Sequence, residues 1–204
     1  MIRIEDEGGM RVVTLDRPDK ANALTKAMLT ALAEAAEGAQ DARAFVLTGA
    51  GRAFSAGMDL EAAAAGLATD PVWERLSGAI AALPCLTVAA LNGTVAGGAI
   101  GMALACDLRV AVPAARVFYP VMRLGFLPQP SDPARLAALI GPARAKLILM
   151  AGARLDAAEA LAFGVFDRVV DPHDLMPTVR TLCADTLAAA PAHAAAIKRM
   201  VPGR

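Results

Sequence analysis

The sequence predicts an α/β domain with largely parallel strands. Short apolar strand-like runs alternate with helical segments, glycine-rich turns follow two of those runs, and Asp-Pro pairs mark helix starts. A chain of 204 residues can bury one substantial core and is short for two ordinary domains, so one domain over 1–204 is expected.

The first runs, Ile2 to Glu5 and Arg11 to Leu15, flank Gly8-Gly9 and read as a hairpin. Thr25 is placed to cap a helix whose Met28, Leu29, Leu32 and Ala36 share one face. Ala44 to Thr48 reads as a buried strand. The cadence then repeats: a helix from about 71 to 82, a strand Thr87 to Leu91, a glycine-rich turn, an apolar helix from about 97 to 105, and a strand Leu108 to Val112. In Asp70-Pro71, Asp132-Pro133 and Asp171-Pro172 a capping carboxylate precedes a proline suited to the first helical position. From Ser131 onward the pattern is mostly helical, with a helical tail from about 171.

Charge excludes some partners. Twenty basic and 20 acidic residues balance to a formal charge of zero without long basic runs, so no nucleic-acid or anionic-membrane partner is expected. The opening Met1-Ile2-Arg3-Ile4-Glu5-Asp6-Glu7 is charged where a signal peptide is apolar, and no later apolar run reaches membrane-spanning length. A cytoplasmic location is the expectation. Cys85, Cys106 and Cys183 are isolated in apolar surroundings with neither a CxxC pair nor histidines at ligand spacing, so reduced thiols and no metal site are expected.

Two loops carry the functional signal. Leu47 to Leu60 leaves a strand and turns through Gly49, Gly51 and Gly57; Asn92 to Gly101 leaves another and enters an apolar helix. Glycine lets backbone N–H groups approach a ligand closely, and a helix start presents N–H groups and a positive dipole end to developing negative charge. A dinucleotide-binding turn is the rival reading of Gly97-Gly98-Ala99-Ile100-Gly101. It requires GxGxxG spacing and an acidic residue about 20 positions on, and Arg116 to Gln129 contains no acid.

Together and in this order, the segments resemble the enoyl-CoA hydratase/isomerase (crotonase) family. The similarity runs through Leu15 to Leu24, Phe54 to Leu60, Asn92 to Asp107, Leu124 to Pro128, Leu155 to Asp167 and Ala195 to Val201, nearly the whole chain. The resemblance implies a spiral of ββα units with a shortened C-terminal helical region. It implies an acyl-CoA thioester as partner, no cofactor beyond the CoA of the substrate, and a homo-oligomer, a trimer or multiple of it. The Ala56 and Gly98 N–H groups are expected to polarise the thioester carbonyl. Ala21, Ala23, Leu24, Gly57, Met58, Asp59, Leu60, Val95, Gly97 and Pro120 are expected along the CoA and substrate path. Arg17 and Lys20 are candidate phosphate neighbours, and Asp59 reads as a structural residue at a loop-helix junction.

The resemblance also locates a departure. Family hydratases place one glutamate three residues beyond the oxyanion glycine and another just after a later proline; here those positions are Gly101 and Val121. No glutamate occurs between Glu74 and Glu159. Asp107 matches a structural position, Asp132 and Asp156 sit where helix caps are expected, and Gln129 stands where some relatives carry an aspartate. Tyr119, Arg123, Gln129, Ser131 and Asp132 remain near the expected acyl pocket, with Tyr119, Gln129 and Asp132 the speculative catalytic residues. Ser55 lacks a GxSxG setting, and His173 and His193 fall in the helical tail. Family chains continue beyond the helix around Lys198, which bears on the pocket lid and on oligomerisation. Two readings follow: an enzyme that stabilises a thioester enolate, or a non-catalytic acyl-CoA-binding homologue.

Overall fold

In the computed structural model, which describes residues 1–201, the chain opens with an antiparallel hairpin, β1 (Ile2–Glu7) and β2 (Met10–Leu15), turned by Gly8 and Gly9 at positive φ. Helix α1 (Lys26–Glu37) starts at Thr25, whose hydroxyl accepts from Met28 N–H and satisfies one of the unpaired donors of the first turn. Two units of strand, short strand and helix follow. The first holds β3 (Ala44–Gly49), β4 (Ala53–Ser55), α2 (Leu60–Ala64) and α3 (Val72–Ala81); the second holds β5 (Leu86–Leu91), β6 (Thr94–Ala96) and α4 (Ala99–Ala105). A third runs through β7 (Leu108–Ala111), β8 (Val117–Phe118), α5 (Val121–Leu124), α6 (Asp132–Ile140) and α7 (Pro142–Leu149). The remainder is β9 (Arg154–Leu155), α8 (Ala157–Phe163), β10 (Arg168–Val169), α9 (Leu175–Ala188) and α10 (Pro191–Met200).

These strands build two sheets. The larger has the order β1-β2-β3-β5-β7-β10, parallel from β2 to β10; the smaller has the order β4-β6-β8-β9. Ala44, Phe45, Val46 and Leu47 of β3 are all buried, as expected of a parallel strand covered on both faces. Every residue of α4 is also buried, so this helix is apolar all round and threads the core.

Polar ties fix the outer elements to that core. Arg109, 1% exposed, donates to the Val165, Cys106 and Asp107 carbonyls and pairs with Asp167 at 2.7 Å. Lys198 of α10 reaches the Cys85 carbonyl and Asp107, whose carboxylate also accepts from Thr87 N–H and hydroxyl. The three Asp-Pro pairs behave differently from one another. Asp70 accepts from Val72 N–H as expected, whereas Asp171 opens a 3-10 turn (Pro172–Asp174) without a side-chain cap bond. Asp132 does not cap at all: it lies inside α6 after the N-cap residue Ser131 and turns into the core. Asp156 caps α8 in a reciprocal capping box with Glu159. Among the described residues, no helix is long and apolar enough to cross a membrane.

Candidate functional site

The two glycine loops emerge side by side because β4 and β6 pair in parallel, with Ala53 opposite Thr94 and Ser55 opposite Val95. They touch at Gly57 and Gly97. Gly57 has φ +94°, and a Cβ there would lie 2.7 Å from the Ala96 carbonyl oxygen and 3.5 Å from Gly97 Cα. Only glycine provides both that backbone conformation and that approach.

The N-terminal segment 17–24 holds the first loop in place. Leu24 N–H donates to the Gly57 carbonyl at 2.8 Å and Asp59 N–H to the Leu24 carbonyl at 2.9 Å, so Leu24 and Met58 form a parallel bridge. Asn22, fully buried, donates to the Ala50 and Ala53 carbonyls and accepts from Arg17 N–H. Asp59 caps α2 through Glu61 and Ala62 N–H, and Arg17 Nη1 bonds it at 2.7 Å. The Arg17 hydrogen bond, reinforced by these backbone donors, holds the Asp59 carboxyl below the usual range. Arg17 therefore acts as a strut between this segment and α2.

These contacts determine which N–H groups a ligand can use. Ala56 N–H is taken by the Ala21 carbonyl at 2.9 Å, which removes the expected oxyanion donor. Gly57 N–H goes to Ser55 Oγ and Gly97 N–H to the Phe118 carbonyl. Met58 N–H and Gly98 N–H make no hydrogen bond among the described residues, and both residues are half-buried. Met58 was expected only as a lining residue. Its N–H is left over because the parallel bridge with Leu24 engages the Gly57 carbonyl, which accepts from Leu24 N–H, and Asp59 N–H, which donates to the Leu24 carbonyl. Behind Gly98 stands Trp73, whose ring would lie 3.0 Å from an added Cβ; its indole N–H is fixed on the Leu67 carbonyl at 2.8 Å.

One helical turn beyond Gly98 is Gly101, one of the positions without its glutamate, and a carboxyl from another helix fills the space there. A Cβ on Gly101 would lie 2.5 Å from Asp132 Oδ1 and 3.0 Å from Oδ2. Asp132 is 1% exposed; Tyr119 O–H donates to its Oδ2 at 2.9 Å, and its buried Oδ1 has no partner among the described residues. Burial pushes this carboxyl up to about 7, with the Glu74 charge adding to the rise and the Tyr119 hydrogen bond and Arg135 opposing it. Tyr119 is pushed well above its ordinary value, first by burial and then by the adjacent Asp132 charge, so it stays a neutral donor. The expectation that Asp132 caps a helix is thus replaced by a buried carboxyl against the oxyanion helix.

Glu74 joins this cluster although it precedes the segment expected to supply an acid. Its Oε1 accepts from Ser131 N–H and Oγ, and Ser131 Oγ accepts from Arg135 at 2.7 Å. Gln129 N–H reaches the Tyr119 hydroxyl, and its side chain donates to the Ala68 carbonyl.

Sequence comparison then places the chain. The sequence model of the enoyl-CoA hydratase/isomerase family matches residues 5–202. The chain belongs to this family. Carnitinyl-CoA dehydratase of Salmonella arizonae is 37% identical over 209 aligned residues, covering 98% of this chain and 79% of the relative. Among solved structures, an enoyl-CoA hydratase subunit I of Geobacillus kaustophilus superposes with a TM-score of 0.88 at 34% identity, covering 98% of this chain and 80% of that one. An enoyl-CoA hydratase of Mycobacterium avium subsp. paratuberculosis gives 0.89 at 32% identity, with 97% and 82% covered. The α/β crotonase fold expected from the motifs is therefore the observed one.

Within this hydratase/isomerase fold, the other expected residues divide. Leu24 lies against Met58 through the bridge, the Ala21 carbonyl accepts from Ala56 N–H, the Ala23 carbonyl accepts from Arg17 Nη1, and Leu60 is exposed. Val95, 2% exposed, packs in the core. Pro120 and Arg123 border a cavity of about 260 Å³ with Phe118, Met150 and Arg154. Val121 is buried. Ser55 Oγ donates to the Asn22 carbonyl and accepts from Gly57 N–H, bracing the loop. Asp171, His173 and Asp174 bring potential ligand atoms within 4.8 Å of one another on an exposed turn.

Proposed function

We propose that this hydratase/isomerase family member binds an acyl-CoA thioester with its carbonyl oxygen between Met58 N–H and Gly98 N–H, so that an enolate can form there. The observation that carries this reading is that, among the described residues, Met58 N–H and Gly98 N–H make no hydrogen bond on two touching loops, while the N–H groups of Gly57, Asp59 and Gly97 are bonded. Donors fixed in advance need no reorganisation as charge develops, and one such donor contributes on the order of 10²–10³-fold in rate. The CoA moiety follows Ala21 to Leu24 and Met58 to Leu60, where two chain segments meet near the surface. Relatives named as a carnitinyl-CoA dehydratase and enoyl-CoA hydratases support the thioester class. Met122, Leu124, Phe126 and Leu127 are exposed apolar side chains in one segment, which supports a homo-oligomer that covers them.

Calorimetry tests the thioester assignment. Crotonyl-CoA should bind more tightly than both CoA and crotonate; equal affinity for crotonyl-CoA and crotonate removes the reason for assigning these segments to CoA. A second reading, non-catalytic acyl-CoA binding, is favoured by the lack of acid-base side chains at Gly101 and Val121. Proton exchange at the thioester α-carbon separates the two, since a mere binder leaves that proton in place.

A further inference from the structure

We infer that Asp132 is the catalytic proton carrier of this site, reaching from α6 into the space beside Gly101, and that Tyr119 is the positioning residue that orients it. The inference rests on the thioester reading above and deepens it. Gly98 supplies one carbonyl donor and Gly101 follows on the same helix, about 4.5 Å further along its axis. Asp132 Oδ1 lies there: an added Gly101 Cβ would meet it at 2.5 Å, so glycine at 101 is what leaves room for this carboxyl.

The bonding of Asp132 is divided in a way that suits proton transfer. Oδ2 accepts from Tyr119 O–H at 2.9 Å, which sets the plane of the carboxyl, while the buried Oδ1 has no partner among the described residues. Unpartnered buried carboxylate oxygens are costly, and most structural carboxylates have both oxygens bonded. The groups facing the carboxyl are Tyr119, Glu74 from α3 and Arg135 from α6. Their combined effect with burial places its titration at about 7, where the base form and the acid form are both available near neutral pH. Tyr119, pushed far upward, donates a hydrogen bond but gives up no proton in that range.

One carboxyl with one neutral donor fits a one-base reaction. With a β,γ-unsaturated acyl-CoA bound, Asp132 Oδ1 takes a proton from the α-carbon; that C–H bond breaks and its electron pair moves onto the carbonyl oxygen held by Met58 and Gly98. The now neutral Asp132 returns a proton to the γ-carbon, the carbonyl re-forms, and the double bond ends between the α- and β-carbons. No water, oxidant or second base enters the balance. Hydration would require a further group to activate water.

The experiment uses the full chain and two thioesters. α-Proton exchange of butyryl-CoA in D2O is followed by NMR, and conversion of 3-hexenoyl-CoA to the conjugated isomer by ultraviolet absorbance. The wild type should catalyse both, with activity rising through a midpoint near the Asp132 titration. D132N should lose about 10²-fold or more in both, with butyryl-CoA affinity retained in calorimetry. Y119F should move the midpoint upward, because the hydrogen bond that lowers the Asp132 titration is gone; a purely structural tyrosine would leave the midpoint in place. Wild-type exchange that persists in D132N, or a midpoint unmoved in Y119F, overturns the assignment while leaving the thioester reading intact. Binding without any wild-type exchange does the same. Failure of the wild type to bind butyryl-CoA removes the thioester reading and this assignment with it.

Discussion

Replacing Asp132 by Asn should make the protein relatively more stable as pH rises, and the size of the effect follows from the burial of this carboxyl. Its folded titration lies at about 7 against 3.8 for an ordinary aspartate. Between those values the folded chain holds one proton that the unfolded chain has released, so wild-type stability falls as pH rises through the window. The slope is about 1.4 kcal/mol per pH unit, and the full window amounts to on the order of 4 kcal/mol. Below the unfolded value the neutral acid carries no such penalty; above the folded value the penalty is complete. Asn is neutral throughout and keeps a carbonyl oxygen for Tyr119 O–H. Urea unfolding of both proteins at pH 5 and pH 7 should therefore show their stability difference shifting by about 2–3 kcal/mol in favour of Asn at the higher pH. Parallel pH profiles would refute the argument, because they would mean that Asp132 titrates normally in the folded chain. A gain in stability with loss of proton transfer is the usual exchange at a strained functional group.

Other perturbations have equally definite outcomes. Gly98→Ala places a methyl 3.0 Å from the fixed Trp73 ring, and overpacking of this kind costs about 1–3 kcal/mol. Calorimetry should show crotonyl-CoA binding weakened about tenfold or more, with partial recovery when Trp73→Leu is added. Asp156→Ala removes the side-chain half of the α8 capping box, the carboxylate that accepts from Glu159 N–H, and should lower stability by about 1 kcal/mol in chemical denaturation. Asp167→Ala removes the carboxylate that bonds Arg109 N–H and the Arg109 guanidinium at 2.7 Å, which should show as a clear fall in Tm. Crotonyl-CoA hydration, followed by ultraviolet absorbance, should run far below a kcat of about 10² s⁻¹, since neither Gly101 nor Val121 can activate water.

The central strands of the larger sheet were legible because they are continuous apolar runs; Ala44 to Leu47 and Thr87 to Leu91 are buried end to end, and the residues record that directly. The smaller sheet left no comparable trace. Its strands are two or three residues long, such as Val117–Phe118 and Thr94–Ala96, too short for a period-2 pattern, and only the ββα resemblance anticipated them. Gly57 and Gly98 were readable as site residues because close approach demands glycine. The choice between Ala56 and Met58 as carbonyl donor was not, since backbone pairing with Ala21 and Leu24 decides which N–H stays free and side-chain identity does not enter. Asp132 misled for a related reason. Asp before Pro is a strong local capping signal, but Ser131 is the N-cap, and the hydrogen bond from Tyr119 comes from a segment that only the folded chain brings near. Glu74 entered the cluster in the same nonlocal way, through Ser131.

The central claim is that Met58 N–H and Gly98 N–H polarise a thioester carbonyl, and infrared difference spectroscopy of bound crotonyl-CoA carrying a ¹³C label at the carbonyl measures that polarisation directly. Donation from two fixed N–H groups weakens the carbon–oxygen double bond, so the labelled stretch should move to lower frequency on binding than in water, and should move back toward the free value in Gly98→Ala. A bound ligand whose carbonyl stretch stays at its frequency in water would contradict the account.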